Sequence, residues 1–382
     1  MALTAILLGW LIGLLAAAGT GYTLAAAWLV RRFSRLEARR GPAEPVSLLK
    51  PLHGTEPKLA DNLTSFLEQD WNAPIQMVAG VQRADDPAID VAEALPRAGD
   101  RRVELVVDGT VHGGNAKVSN LINMAPAAAY DLIVLSDSDM VAPRDYFPHL
   151  AGALAAPGVG AVTCAYTGRG DAGGWSRLAA AGISYHFTPQ LLLGLTTGLA
   201  RPGMGSTIAL RRETLERVGG FAPFADALAD DYELGEAVRG LGLEVVVPPM
   251  LLVHACTERS LAELWRHERR WSATILKINP GGHAGSVVTY PVPLALLTIP
   301  FSALTGAVLL AAALAARLLL KREVDRAAAA STAPAWMLPA RDLLSFAVFL
   351  ASFLTRSVDW RGARLSIGRR GRIAAPPESK SR

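Results

Sequence analysis

The stretch Val134-Leu135-Ser136-Asp137-Ser138-Asp139-Met140 decides the fold. The apolar run from Leu132 to Leu135, entered from Tyr130-Asp131, predicts a buried strand. The two carboxylates that follow fall at its C-terminal end, where open α/β sheets bind ligands. Two acids one residue apart repel unless a cation or a donor-rich ligand neutralises them. Hard divalent ions such as Mg²⁺ or Mn²⁺ take oxygen ligands and share them with phosphates. The sharp reading is therefore a nucleotide-diphosphate site. Alone, the stretch reads more readily as a solvated Asp-rich turn.

On either side, strands and helices alternate. Val46 to Leu52, Ile75 to Val81 and Val103 to Val107 read as strands, separated by helical spacing over 57–69 and over Ala88 to Leu95. This alternation predicts a mostly parallel, Rossmann-like mixed sheet covered by helices on both faces. Further strands are expected at Val159 to Ala165, Ser206 to Leu210 and Glu244 to Val247. Helices are expected from Arg211, from Ala229 and over Leu261 to Ile278. Acids recur near the ends of these elements: Asp85-Asp86 after the second strand and Asp230-Asp231 in a helix's first turn, where they suit the dipole. Lys117 follows a glycine-bearing loop at a helix start and could meet a pyrophosphate. A plain loop and a simple helix cap are the bland alternatives. His254 reads as a structural histidine sooner than as a third metal ligand; His53 and His112 read as loop residues and Trp265 as core.

The chain has 382 residues, 51% of them hydrophobic, which leans toward a membrane protein. Its net charge of +4 is small, but the positives cluster at Arg31-Arg32, Arg35, Arg39-Arg40 and again at Arg361, Arg364, Arg369-Arg370, Arg372. Clusters beside apolar runs are membrane-flanking anchors rather than a nucleic-acid face. Cys164 and Cys256 make no disulfide framework. Residues 1–30 carry no charge and are long enough to span a bilayer; a cleaved signal peptide would begin with its positives. The positive-inside rule then turns Arg31 onward to the cytoplasm. Residues 284–316 are also uncharged, with Pro291, Pro293 and Pro300 in or near the first half. One span is expected there, a tight hairpin being the alternative. A last span is expected within 336–355, interrupted by Arg341-Asp342. That arrangement leaves Lys321-Arg322 on the outer side, against the rule. The apolar segment 175–201 is expected to lie at the membrane interface, with a buried helix pair as the alternative. The organisation expected is a membrane helix over 1–30, a cytoplasmic catalytic domain over 44–283, membrane segments over 284–356 and a basic tail over 357–382.

The ordered set resembles a family 2 glycosyltransferase of the GT-A fold. The residues that carry this are Val46-Ser47-Leu48-Leu49-Lys50-Pro51-Leu52-His53-Gly54, Asp85-Asp86-Pro87-Ala88-Ile89-Asp90, Lys117-Val118-Ser119-Asn120-Leu121, Ser136-Asp137-Ser138-Asp139, Ala229-Asp230-Asp231-Tyr232 and His267-Glu268-Arg269-Arg270-Trp271. Within that group the chain is similar to ceramide glucosyltransferases and to the bacterial hopanoid-associated branch; the second acid, Asp139, favours the latter. The resemblance implies an inverting, membrane-bound transferase moving N-acetylglucosamine or glucose from a UDP-sugar to a lipid hydroxyl, with a hopanoid expected as acceptor and ceramide as the alternative. It implies a bacterial inner-membrane, multi-pass location. It gives Asp85 or Asp86 to the nucleoside, Lys117 and Asp137 to the donor, Asp137 and Asp139 to Mg²⁺ or Mn²⁺, Asp231 to the catalytic base, and Arg270 with Trp271 to the leaving diphosphate. Asp230 is a possible further site residue. The chain departs from the family's Gln/Arg-x-x-Arg-Trp motif at its first position, which is His267. A processive polysaccharide synthase ranks lower because such enzymes carry more membrane helices, and a non-catalytic adaptor ranks lower because the acids are intact.

Overall fold

A computed structural model describes residues 2–355 and the strand residues 357–360, 363–367 and 373–374. Most of the basic tail, including Arg361, Arg369, Arg370 and Arg372, lies outside the described residues. The chain forms two compact units, one of residues 36–171 and 198–257, the other of 1–35, 172–197 and 258 onward.

Helix α1 (Ala2–Phe33) opens the chain. The first of the two units then builds β1 (Val46–Pro51), α2 (Leu59–Leu67), β2 (Ile75–Val81), α3 (Ala88–Glu93), β3 (Arg101–Val107), α4 (Ala116–Met124), β4 (Leu132–Leu135), β5 (Met140–Val141), α5 (Tyr146–Leu154), β6 (Val159–Thr163) and β7 (Ala165–Gly170). After α6 (Gly174–Gly182) and α7 (Thr188–Thr197), which belong to the other unit, it closes with β8 (Ile208–Arg211), α8 (Arg212–Arg217), α9 (Asp230–Gly240), β9 (Glu244–Val246) and β10 (Leu251–Cys256). Seven strands lie in the order β3-β2-β1-β4-β8-β6-β9, and only β8 runs antiparallel to its neighbours. The mixed, mostly parallel α/β sheet expected from the sequence is therefore present.

β1, β2 and β4 are buried along their whole length, as strands covered on both faces must be. Side chains alternate between two cores: Leu48 and Val134 pack with Phe66 and Met77 on one face, Leu49, Ile133 and Leu135 with Leu121 and Leu210 on the other. Strand order reverses between β1 and β4, and such a switch point opens a crevice beyond the strands' C-terminal ends. Asp137 stands there. A small sheet, β5-β10-β7, sets His254 opposite Met140.

The second unit is helical. It holds α1, α6, α7 and then α10 (Leu261–Ile278), α11 (Pro280–Gly285), α12 (Pro291–Thr298), α13 (Ala303–Ala327) and α14 (Met337–Ser352). Two of these, α1 and α13, are long and apolar enough to cross a bilayer. Residues 284–316 do not form one span. They turn as the hairpin α12–α13 against α1. A Cβ on Gly9 would lie 2.6 Å from that of Phe301, and one on Gly19 would lie 2.3 Å from the carbonyl of Val288, so α12 runs antiparallel to α1. Between them, Ile12, Leu15 and Ala16 meet Leu294, Ala295, Leu309 and Leu310. α13 therefore runs parallel to α1, and Lys321-Arg322 comes to the same end as Arg31-Arg32.

The segment 175–201 is a packed helix rather than an interfacial one. Leu178, Ala179, Ala180, Ala181, Ile183, Tyr185, Leu191 and Leu192 are all buried, because small Ala side chains let helices approach closely. Ile183–Phe187 adopts π geometry just before Pro189, a wider turn that absorbs the amide proline lacks.

Candidate active site

The site grows from the ends of β1 and β4. Lys50 is fully buried and its Nζ donates to the Asp137 carbonyl at 2.8 Å and to Ser136 Oγ at 3.0 Å. The same Nζ lies 3.4 Å from the centre of the Phe66 ring. Burial drives this amine well below the usual lysine range, against the pull of Asp137 and Asp139. Lys50 thus clamps the backbone of the acidic loop from below. The sequence reading passed over it, although a lysine directly after Leu48-Leu49 in a buried strand is itself a signal.

Lys117 rises from the first turn of α4. Asn115 caps that helix, its Oδ1 accepting from Val118 N at 3.1 Å, while its Nδ2 donates to Asp230 Oδ1 at 3.1 Å. Lys117 Nζ stands 2.6 Å from Asp137 Oδ1 and 3.5 Å from Asp230 Oδ2. Burial disfavours the ammonium, but Asp137, Asp230 and Asp231 together outweigh it and hold its pKa above the usual range. The Asp137 carboxyl is pushed up by burial despite Lys117.

Neither acid of the Asp230-Asp231 pair caps α9; the N-cap is Ala229, with no side-chain cap. Asp231 Oδ2 accepts from Gly205 N at 2.7 Å and Oδ1 from Tyr232 N at 2.8 Å. Burial, then the charge of Asp230, raises its pKa to about 6, against Lys117. Gly205 is the hinge of the cluster. Its carbonyl accepts from Asp137 N at 3.1 Å, and a Cβ there would fall 2.5 Å from Asp137 Oδ2 and 2.9 Å from Lys117 Nζ. The Pro202-Gly203-Met204-Gly205 run was the missed signal for this close approach.

Asp139 completes the loop. Its Oδ2 is 3.2 Å from His254 Nε2, and its carbonyl accepts from Ala255 N at 2.7 Å. The His254 ring stacks on Tyr166 at 5.8 Å. Burial disfavours both charged forms, yet each supports the other: Asp139 is held below the usual carboxylate range and His254 well above the usual imidazole range. His254 is therefore engaged with Asp139. Asp139 Oδ1 is buried and has no hydrogen-bond partner. An orphaned carboxylate oxygen is costly and fits a cation ligand. Among the described residues no three His, Cys, Asp or Glu side chains converge on one point. A divalent ion here would take Asp137 and Asp139 from the protein and its remaining oxygens from phosphate.

Asp85 and Asp86 sit beyond β2 and differ sharply. Asp85 is exposed and paired with Arg83 at 2.6 Å, which lowers its pKa. Asp86 is buried and accepts from Gly54 N at 2.9 Å and Ala88 N at 2.9 Å, tying the loop after β1 to the start of α3. Arg270, Trp271 and His267 lie on α10 of the helical unit. His267 Nδ1 is 2.6 Å from Glu258 Oε1, and its ring meets Trp271 edge-on at 4.3 Å.

A family model described as glycosyl transferase family 21 matches residues 11–373. Ceramide glucosyltransferase 1 of Caenorhabditis elegans is 24% identical over 205 residues, 53% of this chain and 43% of that protein. Ceramide glucosyltransferase of Komagataella phaffii is 30% identical over 119 residues, 29% of this chain and 23% of that protein. The chain thus spans less than half the length of these curated relatives. Among solved structures it is similar to the mannosyltransferase PcManGT from Pyrobaculum calidifontis in complex with GDP-Man and Mn²⁺, with 23% identity, a TM-score of 0.49 and coverage of 90% of this chain and 98% of that one.

Proposed function

Since the chain belongs to glycosyl transferase family 21, we propose that it moves a sugar from a nucleotide-diphosphate donor onto the hydroxyl of a ceramide-like membrane lipid. The observation that carries this is Asp231, a carboxyl poised near pKa 6 beside Lys117 and Asp137. A base with that pKa is ionised at neutral pH yet still accepts a proton. The acceptor oxygen attacks the anomeric carbon from the face opposite the diphosphate, Asp231 takes the hydroxyl proton, and the bond to the diphosphate breaks with inversion. Lys117 holds the ground-state cluster together and offers its charge to the incoming donor. Mg²⁺ or Mn²⁺ held by Asp137 and Asp139 would supply charge neutralisation for the leaving diphosphate. Arg270 and Trp271 serve the same leaving group, and Asp85 or Asp86 the nucleoside.

The sequence comparison favours ceramide over the hopanoid expected from Asp139, because the curated relatives are ceramide glucosyltransferases. UDP as the nucleotide and glucose or N-acetylglucosamine as the sugar belong to the same proposal. So does a multi-pass membrane location, with the Arg31-Arg32 and Lys321-Arg322 ends on the cytoplasmic side. The test is transfer from radiolabelled UDP-glucose and UDP-N-acetylglucosamine by purified full-length protein to ceramide or to a hopanoid polyol in bilayers. Labelled glycosylceramide supports the reading. Label on the hopanoid alone returns the acceptor to the bacterial branch, and label on neither overturns both. Asp231→Asn is expected to lower turnover by at least about 10³-fold with UDP binding kept; full activity in that variant removes Asp231 as the base.

A further inference from the structure

Helix α10 carries Arg270 and Trp271, yet of its 18 residues only Leu264 and Ala273 are buried. A surface helix normally buries three or four apolar residues per two turns, so apolar packing defines the rotation of α10 weakly. One side chain supplies what packing does not. Arg341, on α14, is 2% exposed and grips Glu268 of α10 with two parallel bonds, Nη1 to Oε1 and Nη2 to Oε2, each 2.5 Å. It also donates to the Leu178 carbonyl of α6 at 3.2 Å and, through Nε and Nη2, to Ser345 Oγ at 3.0 and 2.8 Å. Gly182 of α6 leaves the room: a Cβ there would lie 3.1 Å from the guanidinium carbon. A planar fork held on both sides fixes its partner in direction as well as distance.

Glu268 stands two residues before Arg270, about 200° round the helix, and three before Trp271, on the adjoining strip. Gripping Glu268 therefore sets the angle at which the other two are presented. On the far side of the turn, His267 bonds Glu258 and braces Trp271. We infer that Arg341 is a positioning residue that acts through Glu268 to fix the rotation of α10 and hence the setting of Arg270 and Trp271 during transfer. The inference rests on the proposed transferase reading, in which that pair meets charge developing on the leaving diphosphate.

The experiment uses full-length protein in bilayers with the variants Glu268→Gln, Arg341→Lys and the swap of Glu268→Arg with Arg341→Glu. Glu268→Gln keeps the side chain's shape, so the test survives a folding failure of Arg341→Lys. Misplaced electrostatic groups act on the transition state more than on the bound donor. The single variants are expected to lower kcat about 10- to 100-fold and, because UDP carries that same diphosphate, to weaken UDP binding as well, with the swap recovering part of both losses. The control is Asp342→Asn, which breaks the neighbouring buried cluster of Arg317, His186 and Asp342 without touching α10. Its melting point should fall while kcat per folded molecule holds. Wild-type kcat in Glu268→Gln, or an equal kcat loss in Asp342→Asn, overturns the inference. Arg270→Ala separates the two layers: if it leaves kcat intact, the reading of the Arg-Trp pair fails, whatever Glu268→Gln does.

Discussion

Two buried arginines of the helical unit and the acid cluster of the sheet unit are treated in opposite ways. In the helical unit Arg341 and Arg317 are saturated. Arg341 has Glu268, Ser345 and the Leu178 carbonyl, and Arg317 has Asp342, His186 and the Tyr185 carbonyl. In the sheet unit the groups around Lys117 are left short. One ammonium, Lys117, is divided between Asp137 and Asp230, Asp139 Oδ1 has no hydrogen-bond partner, and Asp231 is driven toward protonation. Saturated buried pairs specify which helices meet, at some cost in stability. Unsaturated ones hold a polar surface ready for charge that arrives with a ligand. The contrast separates packing from chemistry better than burial alone.

Three measurements could break that contrast. The largest effect is expected at Gly205→Ala, whose methyl would overlap Asp137 Oδ2 and crowd Lys117. Turnover should fall by about 10³-fold or more, since the crowding falls on the reacting groups. Retained turnover would mean the acid cluster is looser than its distances state. Lys50→Met comes next. It removes the donor to the Asp137 carbonyl and to Ser136 Oγ, and an unpaired buried acceptor costs about 1–3 kcal/mol. The melting temperature should fall while turnover drops about 10- to 100-fold, because the Asp137 carbonyl loses its clamp. A fall in melting temperature with turnover unchanged would class Lys50 with the saturated charges, which serve packing alone. The smallest effect is a pH profile. Asp231 must be ionised to act, so kcat/KM should fall about tenfold per unit below its pKa of about 6 and level off above it. Stability runs the other way. The folded protein holds this proton more tightly than the unfolded chain, so the Asp231 contribution to stability declines as pH rises from the ordinary carboxylate range through about 6. A rate limb without that opposite trend would assign the titration to another group.

What could be read in advance follows the range of the forces involved. The β4 strand and its two acids were legible because an apolar run and the residues ending it are neighbours in sequence. Asp231 was legible only as one of several acids; its raised pKa needs Asp230, Lys117 and the Gly205 amide around it. Lys50 was misread as an ordinary strand residue, since its partners, Asp137 and Ser136, come almost ninety positions later. Over 284–316 a single span is the first expectation and the α12–α13 hairpin the alternative. Hydropathy measures how apolar a segment is, while its folding back depends on Pro291, Pro293 and Pro300 and on Gly9 and Gly19 across the contact. Arg341-Asp342 looked like an interruption of a span. Their partners, Glu268, Arg317 and His186, are scattered over three other helices, where no local pattern points to them.

The parallel pairing of α1 with α13 bears on how the chain is made. Roughly 270 residues separate the end of α1 from the start of α13. At the usual pace of synthesis, about 5–20 residues per second, α1 waits roughly 15–50 s for its partner. During that interval the face bearing Gly9, Gly13 and Gly19 lacks its partners Phe301, Thr298, Leu309 and Val288. Helix α1 thus completes its packing only after the whole sheet unit has been synthesised.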